Sequence, residues 1–271
     1  MSTAIDISGL SHAFGEVPVL ENLTFQVRRG EFFVIIGPNG SGKTTLLKLF
    51  AGILSPTAGR IGVLDRPIGN YKRKALARTI ALVPQNISVD FPFTVAEVVR
   101  MGRAPHLGLL GLEAENDFTV AARAMDFTEV THLAGRRLSQ LSGGECQRVF
   151  IARAICQQTD IILLDEPTAA LDLAHQTRIM DLMETLQREK NTTIVMVSHD
   201  VNLAAMYGNH LLLLKDGRIV RHGTAAEVLT IETLQQAYGC PLLVDTGPLG
   251  DFPRVTPLPG RLARKTGPSA D

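Results

Sequence analysis

The sequence lacks an excess of charge, since 27 basic residues balance 27 acidic residues over 271 positions. Proteins that bind nucleic acid usually carry a basic excess or a basic stripe. The composition therefore gives no argument for a nucleic-acid partner.

Cysteine is scarce as well. Cys146, Cys156 and Cys240 are odd in number and widely spaced, so they match neither a disulfide framework nor a zinc site. This usage favours a reducing compartment. Six histidines without metal-ligand spacing are interpreted as surface or packing residues: His12, His106, His132, His175, His210 and His222.

Long hydrophobic runs are absent too. The longest, such as FFVII at 32–36 and LLLL at 211–214, fall far short of the roughly 18 residues of a membrane span. The first eight residues show no basic patch followed by an apolar run, so we expect no secretory signal. We expect a soluble, cytoplasmic chain that reaches a membrane only through a partner.

Apolar residues nevertheless make up 45% of the chain, enough for a sizeable core. Four apolar runs predict buried strands: 31–37, 79–84, 161–165 and 192–198. Helical spacing follows or separates these strands at 43–53, 172–189 and 200–207. Such alternation predicts a doubly wound parallel sheet, whereas 210–223 predicts a hairpin around Asp216 and Gly217.

The alternation is interrupted at residues 87–157, where apolar residues recur at helical intervals and predict a mainly helical insert. We therefore predict a discontinuous nucleotide-binding core, residues 1–86 and 158–240, around a helical subdomain at 87–157. Residues 241–271 form a proline- and glycine-rich extension whose end we expect to be loose.

The stretch GPNGSGKTT fits the pattern G-x-x-x-x-G-K-[ST], between a predicted strand and a predicted helix. The backbone N–H groups of such a loop surround phosphate oxygens, its lysine reaches the outer phosphates, and its threonine can hold Mg²⁺. A plain glycine-rich turn is the alternative. The candidate binding residues are Gly37, Pro38, Asn39, Gly40, Ser41, Gly42, Lys43, Thr44 and Thr45.

Two acidic residues end the predicted strand IILLD. Asp165 would hold Mg²⁺ or its water, and Glu166 would orient or deprotonate a water molecule. The alternative is an acidic strand end that faces solvent.

The segment LSGGE at 141–145 precedes an amphipathic helical pattern. Ser142 followed by two glycines indicates a helix N-terminus whose free N–H groups could bind an anion. On these residues alone, an ordinary capped helix start is the simpler interpretation.

In this order and spacing, the motifs resemble those of the nucleotide-binding subunit of ATP-binding cassette (ABC) transporters, to about residue 240. The corresponding segments are Walker A (37–45), the Q-loop (82–85), the signature (141–145), Walker B (161–167), the D-loop (169–172) and the H-loop (198–200). The resemblance implies an α/β fold: a P-loop NTPase core with a mainly parallel sheet, an antiparallel β subdomain and a helical insert.

The resemblance also implies that two copies of the chain sandwich ATP and Mg²⁺. Lys43 and the loop N–H groups would hold the phosphates, while Thr44, Asp165 and Gln85 would bind the metal. Phe14 would stack on adenine in place of the family's usual tyrosine, and a core phenylalanine is the alternative.

From the opposite subunit, the resemblance implies that Ser142, Gly143 and Gly144 meet the γ-phosphate. Glu166 would be the catalytic base, and His199 would steady the attacking water. Gln85 would contact metal or water and link the site to the insert, while Asp172 would lie across the dimer interface.

Two classes of cassette protein remain open: the energising subunit of a membrane importer, and a soluble, non-transport ATPase. Only 99 positions separate Lys43 from Ser142, which leaves no room for the coiled coils of DNA-repair relatives. A single cassette without membrane helices also favours the importer, peripheral at the cytoplasmic face of the inner (cell) membrane.

The segments TVAEVV…GRAPH and AYGCPLLV resemble importer ATPases for iron–siderophore complexes, haem and cobalamin; another solute class is the alternative. This group implies integral-membrane permease subunits and, indirectly, a periplasmic or lipoprotein substrate-binding protein. A permease helix would dock on the helical insert, where four apolar residues could line its groove or form the insert's core: Val95, Val98, Val99 and Met101.

Overall fold

A computed structural model describes residues 2–85, 92–108, 111–169, 171–247, 250, 252–259 and 261. Its strands are β1 Thr3–Phe14, β2 Val17–Arg28, β3 Phe32–Ile36, β4 Ala58–Val63, β5 Arg66–Pro67, β6 Ile80–Val83, β7 Ile161–Asp165, β8 Thr193–Val197, β9 His210–Lys215, β10 Arg218–Gly223, β11 Leu242–Thr246 and β12 Pro253–Pro257. Its α-helices are α1 Lys43–Phe50, α2 Arg73–Thr79, α3 Val95–Arg100, α4 Glu115–Phe127, α5 Gly143–Cys156, α6 Leu173–Lys190, α7 Val201–Tyr207, α8 Ala225–Val228 and α9 Ile231–Tyr238.

The central sheet has the strand order β10-β9-β3-β8-β7-β6. Its strands run parallel except β10, which pairs antiparallel with β9 at one edge. Every residue of β3, β7 and β8 is buried, as expected for strands covered on both faces. Asp165 pairs with Val197, so the carboxyl ends of β7 and β8 lie side by side.

A second, antiparallel sheet has the order β2-β1-β4-β5. One face of this sheet packs on the core, so buried and exposed residues alternate along the second half of β2, whereas β1 mixes buried and half-buried residues less regularly. Phe25 of β2 stacks on Phe33 of β3 with ring centroids 5.7 Å apart. Helix α1 joins this core through Leu46, Leu49 and Phe50, which are fully buried.

The helices α3, α4 and α5 lie between β6 and β7 in the chain and pack against one another. Val95, Val98 and Val99 are at most 2% exposed, so they form the insert's own core, whereas Met101 is 42% exposed. Arg103 and Asp117 make a buried ion pair, with 2.8 Å between Nε and Oδ1. Residues 87–91 and 109–110 of the predicted insert lie outside the described residues, as does residue 86 of the predicted core.

The β9–β10 hairpin turns at Asp216 and Gly217. Both residues have positive φ, as a two-residue type I′ turn requires. The extension beyond residue 240 contains a second hairpin, β11 and β12, paired antiparallel from Leu242 with Pro257 to Thr246 with Pro253. The predicted loose end at 262–271 lies outside the described residues. In the described ranges, no helix has both the length and the apolar character needed to cross a bilayer.

Candidate functional site

The glycine-rich loop joins β3 to α1 and needs glycine at defined positions. Gly37 has φ 146°, and a Cβ atom there would lie 2.0 Å from the carbonyl oxygen of Leu214. Gly40 and Gly42 also have positive φ values. Gly217, at the turn of the β9–β10 hairpin, donates its N–H to the Ser41 carbonyl at 3.3 Å and braces the loop.

Helix α1 begins directly after Gly42, without a side-chain cap and without an acidic residue in its first turn. By contrast, the side chains of Ser142 and Asp172 cap α5 and α6. The first N–H groups of a helix have no partner within it, and its dipole attracts negative charge. The start of α1 is therefore suited to an external anion.

Lys43 is the first residue of α1 and only 5% exposed. Its ammonium donates to the carbonyl oxygens of Gly37 at 2.8 Å and Pro38 at 2.9 Å. Burial lowers the pKa of Lys43, while the carboxylates of Glu166 and Asp165 oppose that shift. The loop thus holds its lysine by its own carbonyls.

Thr44 and Asp165 bring two oxygen atoms together at the loop: Thr44 Oγ1 donates to Asp165 Oδ1 at 3.1 Å. Burial raises the pKa of Asp165, and the hydrogen bond from Thr44 opposes the shift. Hydroxyl and carboxylate oxygens are the hard ligands that Mg²⁺ prefers, so this donor set fits that ion. No group of three metal-ligating His, Cys, Asp or Glu side chains occurs in the described part of the chain.

Glu166 follows Asp165 in a left-handed conformation, with φ 52°, which is unusual for a residue other than glycine. Its Oε2 accepts a hydrogen bond from Gln85 Nε2 at 2.5 Å, and its Oε1 contacts His199 Nε2. The structure therefore places Gln85, Glu166 and His199 together, with the carboxylate fixed by one neighbour on each oxygen.

Ser142 begins the signature helix α5 in a capping box. Its N–H and hydroxyl both donate to Glu145 Oε2 at 2.8 Å, and these contacts lower the pKa of Glu145. Ser142 and Gly143 are exposed, whereas Gly144 is buried. Among the residues described, no hydrogen bond or ion pair joins this helix start to the glycine-rich loop.

Asp172 caps helix α6 by accepting the N–H of His175 at 2.9 Å, and its Oδ1 also lies 2.7 Å from His175 Nδ1. The His175 ring packs on Gly144 of the signature. We interpreted His175 as a surface or packing residue from the sequence; its contacts join the D-loop to the signature. The contact between Asp172 and His175 could have been predicted, because an Asp three positions before a His at a predicted helix start can cap that helix and meet the His side chain.

Phe14 lies at the end of β1 and is 54% exposed, so it is not a core residue. Its ring and the His12 ring form a T-shaped pair, with centroids 4.9 Å apart and planes at 90°. An exposed aromatic face held from one side is suited to stacking on a planar ligand.

Two clefts lie near the helical insert. One, of about 920 Å³, is lined by residues of the core and of α5, among them Ile53, Leu82 and Arg153. The other, of about 310 Å³, is lined mostly by apolar atoms and includes Met101 and Leu107. Ile53 is 61% exposed, so the first cleft presents an apolar side chain to solvent.

The family model described as "ABC transporter" matches residues 20–169. The ferric enterobactin transport ATP-binding protein FepC of Escherichia coli (strain K12) is 40% identical over 95% of this chain and 94% of that protein. The hemin import ATP-binding protein HmuV of Thermobifida fusca is 41% identical over 92% of this chain and 87% of that protein. The cobalamin import ATP-binding protein BtuD of Halobacterium salinarum is 40% identical over 95% of this chain and 64% of that protein.

Solved structures of ABC proteins match this chain as well. A metal-chelate type ABC transporter in an inward-facing conformation has a TM-score of 0.86 and 33% identity, over 97% of this chain and 100% of that chain. A dimeric ATP-binding cassette in a post-hydrolysis state, bound to ADP and Pi, has a TM-score of 0.71 and 31% identity, over 81% of this chain and 98% of that chain.

Proposed function

The chain belongs to the ABC transporter family, and from this premise we propose that it is the ATP-hydrolysing subunit of an importer for an iron chelate, haem or cobalamin. Family membership confirms the predicted fold class and the prediction of an ATPase. FepC, HmuV and BtuD are named for transport or import of ferric enterobactin, hemin and cobalamin. Two alternatives were predicted from the sequence, a soluble ATPase and an importer for another solute class. No specific observation favours either of them.

The observation that carries the proposal is the fixed carboxylate of Glu166. Gln85 and His199 each engage one of its oxygens beside the loop that carries Lys43. Phosphoryl transfer depends mainly on positioning and on stabilisation of charge. Glu166 would orient the attacking water and accept its proton, and His199 would steady that water and the γ-phosphate.

For binding, the N–H groups of residues 37–45 would surround the phosphates, with Lys43 on the outer ones. Phe14 would stack on adenine. Thr44 and Asp165 would hold Mg²⁺, and Gln85, which is hydrogen-bonded to the neighbouring Glu166, would contact the metal or its water. When bound, Mg²⁺ neutralises the charge that develops on the phosphate oxygens.

A homodimer would complete the site. The helix start at Ser142, Gly143 and Gly144 has its first two residues exposed, and no hydrogen bond of the described residues ties it to the chain's own loop. These residues would meet the γ-phosphate held by a second copy, and Asp172 would lie at the same interface. The solved dimeric cassette supports this arrangement.

Permease subunits would dock at the clefts beside the insert. Exposed Ile53 and Met101 provide apolar contacts there, whereas the three buried valines of α3 do not. We place the chain at the cytoplasmic face of the inner membrane, with a substrate-binding protein outside it. The proposed division of the chain is a nucleotide-binding core of residues 1–86 and 158–240, with a helical insert of residues 87–157.

The test is the substitution Glu166→Gln, which keeps the shape and removes the base. We expect ATP binding to persist, turnover to fall by about 100-fold or more, and a dimer to accumulate with ATP. Glu189→Gln, at an exposed carboxylate of α6, is the control and should behave as wild type. Hydrolysis near the wild-type rate in Glu166→Gln would refute the assignment of the base.

Lys43→Ala tests binding separately. Loss of a charged contact costs about 1.5–3 kcal/mol, so ATP affinity should fall by at least about tenfold. The solute class is tested by uptake into proteoliposomes that contain the complete transporter, with ferric siderophores, haem and corrinoids compared side by side. If none of them is taken up while ATP is hydrolysed, the proposed solute class is wrong and the ATPase assignment stands.

A further inference from the structure

The C-terminal hairpin, β11 and β12, is fastened to helix α7 by one side chain. Asn202 Oδ1 accepts the N–H of Val255 at 2.8 Å, and Asn202 Nδ2 donates to the Val255 carbonyl at 3.1 Å. The carboxamide thus pairs with a backbone unit as a neighbouring strand would. These two bonds join positions 53 residues apart.

The hairpin is itself firmly held. Val255 and Leu242 are 7% and 6% exposed and belong to the same core cluster as Ala205 of α7. Arg254 donates to both oxygens of Asp245 across the hairpin, at 2.8 Å and 2.7 Å. The Val255 backbone is therefore a fixed point against which Asn202 can hold α7.

Asn202 lies in the first turn of α7, three positions after His199. Between them, Asp200 caps the helix by accepting the N–H groups of Asn202 at 2.8 Å and Leu203 at 3.0 Å. Helix α7 has only seven residues, and such a short helix is not stable without outside contacts. Whatever fixes its first turn also fixes the backbone from which His199 reaches Glu166.

We propose that Asn202 is a positioning residue, through which the C-terminal hairpin holds His199 in place for ATP hydrolysis. The proposal rests on the proposed function, in which His199 steadies the attacking water. Small displacements of a positioned group cost rate, whereas the phosphate-binding loop lies on other elements. Loss of the contact should therefore lower kcat and leave nucleotide affinity unchanged.

The experiment measures ATPase kinetics of Asn202→Ala and Asn202→Asp in the full chain. Alanine removes both bonds and favours the helix, while aspartate suits a helix N-terminus but cannot donate to the Val255 carbonyl. We expect kcat to fall by about fivefold or more, because His199 is displaced, and KM to stay within about twofold, because the phosphate-binding loop is unchanged. If one variant does not fold, the other decides.

Tyr207→Phe is the matched control. It removes one hydrogen bond of α7, from the Tyr207 hydroxyl to Asp181 at 2.7 Å, at the helix end far from His199. A merely structural role of Asn202 predicts that all three variants lose thermal stability without a selective loss of kcat. That outcome would overturn the proposal.

A second readout uses the His199→Ala background. If Asn202 acts through His199, then Asn202→Ala should change the residual rate by less than about twofold there, because coupled residues are not additive. A full additional loss would contradict the proposal. Failure of the proposed function looks different: the wild-type chain would not hydrolyse ATP, or Glu166→Gln would remain active.

Discussion

The imidazole of His175 lies so close to Gly144 that a Cβ atom on Gly144 would come within 2.8 Å of His175 Cδ2. The ring is held in place by Asp172, whose Oδ1 lies 2.7 Å from Nδ1. A larger residue at position 144 therefore has to displace the ring and break its contact with Asp172. The signature and the D-loop are thus packed as one unit within a single chain.

This packing predicts a change of sign in stability. Gly144→Ala should destabilise the wild-type chain because of the contact with the ring. In a His175→Ala background the same change should stabilise it, by about 0.5–1 kcal/mol, the ordinary gain of alanine over glycine in a helix. Chemical unfolding of the wild type and the three variants measures both values, and equal effects in the two backgrounds would refute the steric account.

The buried ion pair of the helical insert gives a second prediction. Arg103 also donates to the Cys156 carbonyl at 2.9 Å, and the side chains of Arg103 and Asp117 are 5% and 9% exposed. Arg103→Met should cost about 3–5 kcal/mol of unfolding free energy, because Asp117 is left buried without its cationic partner.

The control is the exposed pair Arg178 and Glu129, whose side chains are 56% and 60% exposed. Arg178→Met should cost no more than about 1 kcal/mol, since exposed pairs are screened by water and salt. Denaturant titrations compare the two variants directly. Similar losses would show that burial does not decide the strength of these pairs.

Phe14 gives a third prediction. Stacking of a base on an aromatic ring contributes roughly 1–3 kcal/mol, so Phe14→Ala should weaken ATP binding by about tenfold. Phe14→Tyr should bind as wild type, because it keeps the aromatic face. Val17→Ala, at the exposed position that pairs with Phe14 across the hairpin, is the control. Fluorescent-nucleotide titration measures each affinity, and unchanged binding in Phe14→Ala would exclude the stacking role.

Asp165 gives a prediction that depends on pH. Burial raises its pKa, so the folded chain binds this proton more tightly than the unfolded chain. The ionised carboxylate therefore lowers stability at pH values above its raised pKa, and the cost disappears below the unfolded value of about 3.9.

Accordingly, Asp165→Asn should raise the unfolding midpoint at pH 8 without added nucleotide. The difference from wild type should shrink as the pH falls towards about 4. The same variant should lose ATPase activity because it lacks a proposed ligand for Mg²⁺. Asp126→Asn, at an exposed carboxylate, should show neither effect. A midpoint difference that does not vary with pH would contradict the prediction.

Strong local patterns predicted most of the central sheet. The buried runs at 161–165 and 192–198 became β7 and β8 with at most one residue of difference at each end, because strands covered on both faces are continuously apolar. The long strands β1 and β2 were implied only by the family resemblance. Their mixed polar and apolar residues, with register shifts along the pair, give no simple alternation over twelve positions.

The candidate site was predictable in its members but not in its contacts. The sequence suggested Gln85, Glu166 and His199 separately, and the sheet order that places them together is a long-range property. Asn202 and Val255 carry no motif, because a carboxamide that pairs with a distant backbone leaves no local pattern. The hairpin of β11 and β12 was missed since proline and glycine dominate that segment.

The uncapped start of α1 has a consequence for the lifetime of the protein. Phosphate oxygens would supply the hydrogen-bond acceptors that a serine or aspartate side chain supplies to other helices. Bound ATP would therefore also stabilise the fold. A ligand present at 100 times its Kd adds about 2.7 kcal/mol to the free energy of unfolding. A cell that runs short of ATP would then leave this subunit both idle and easier for proteases to degrade.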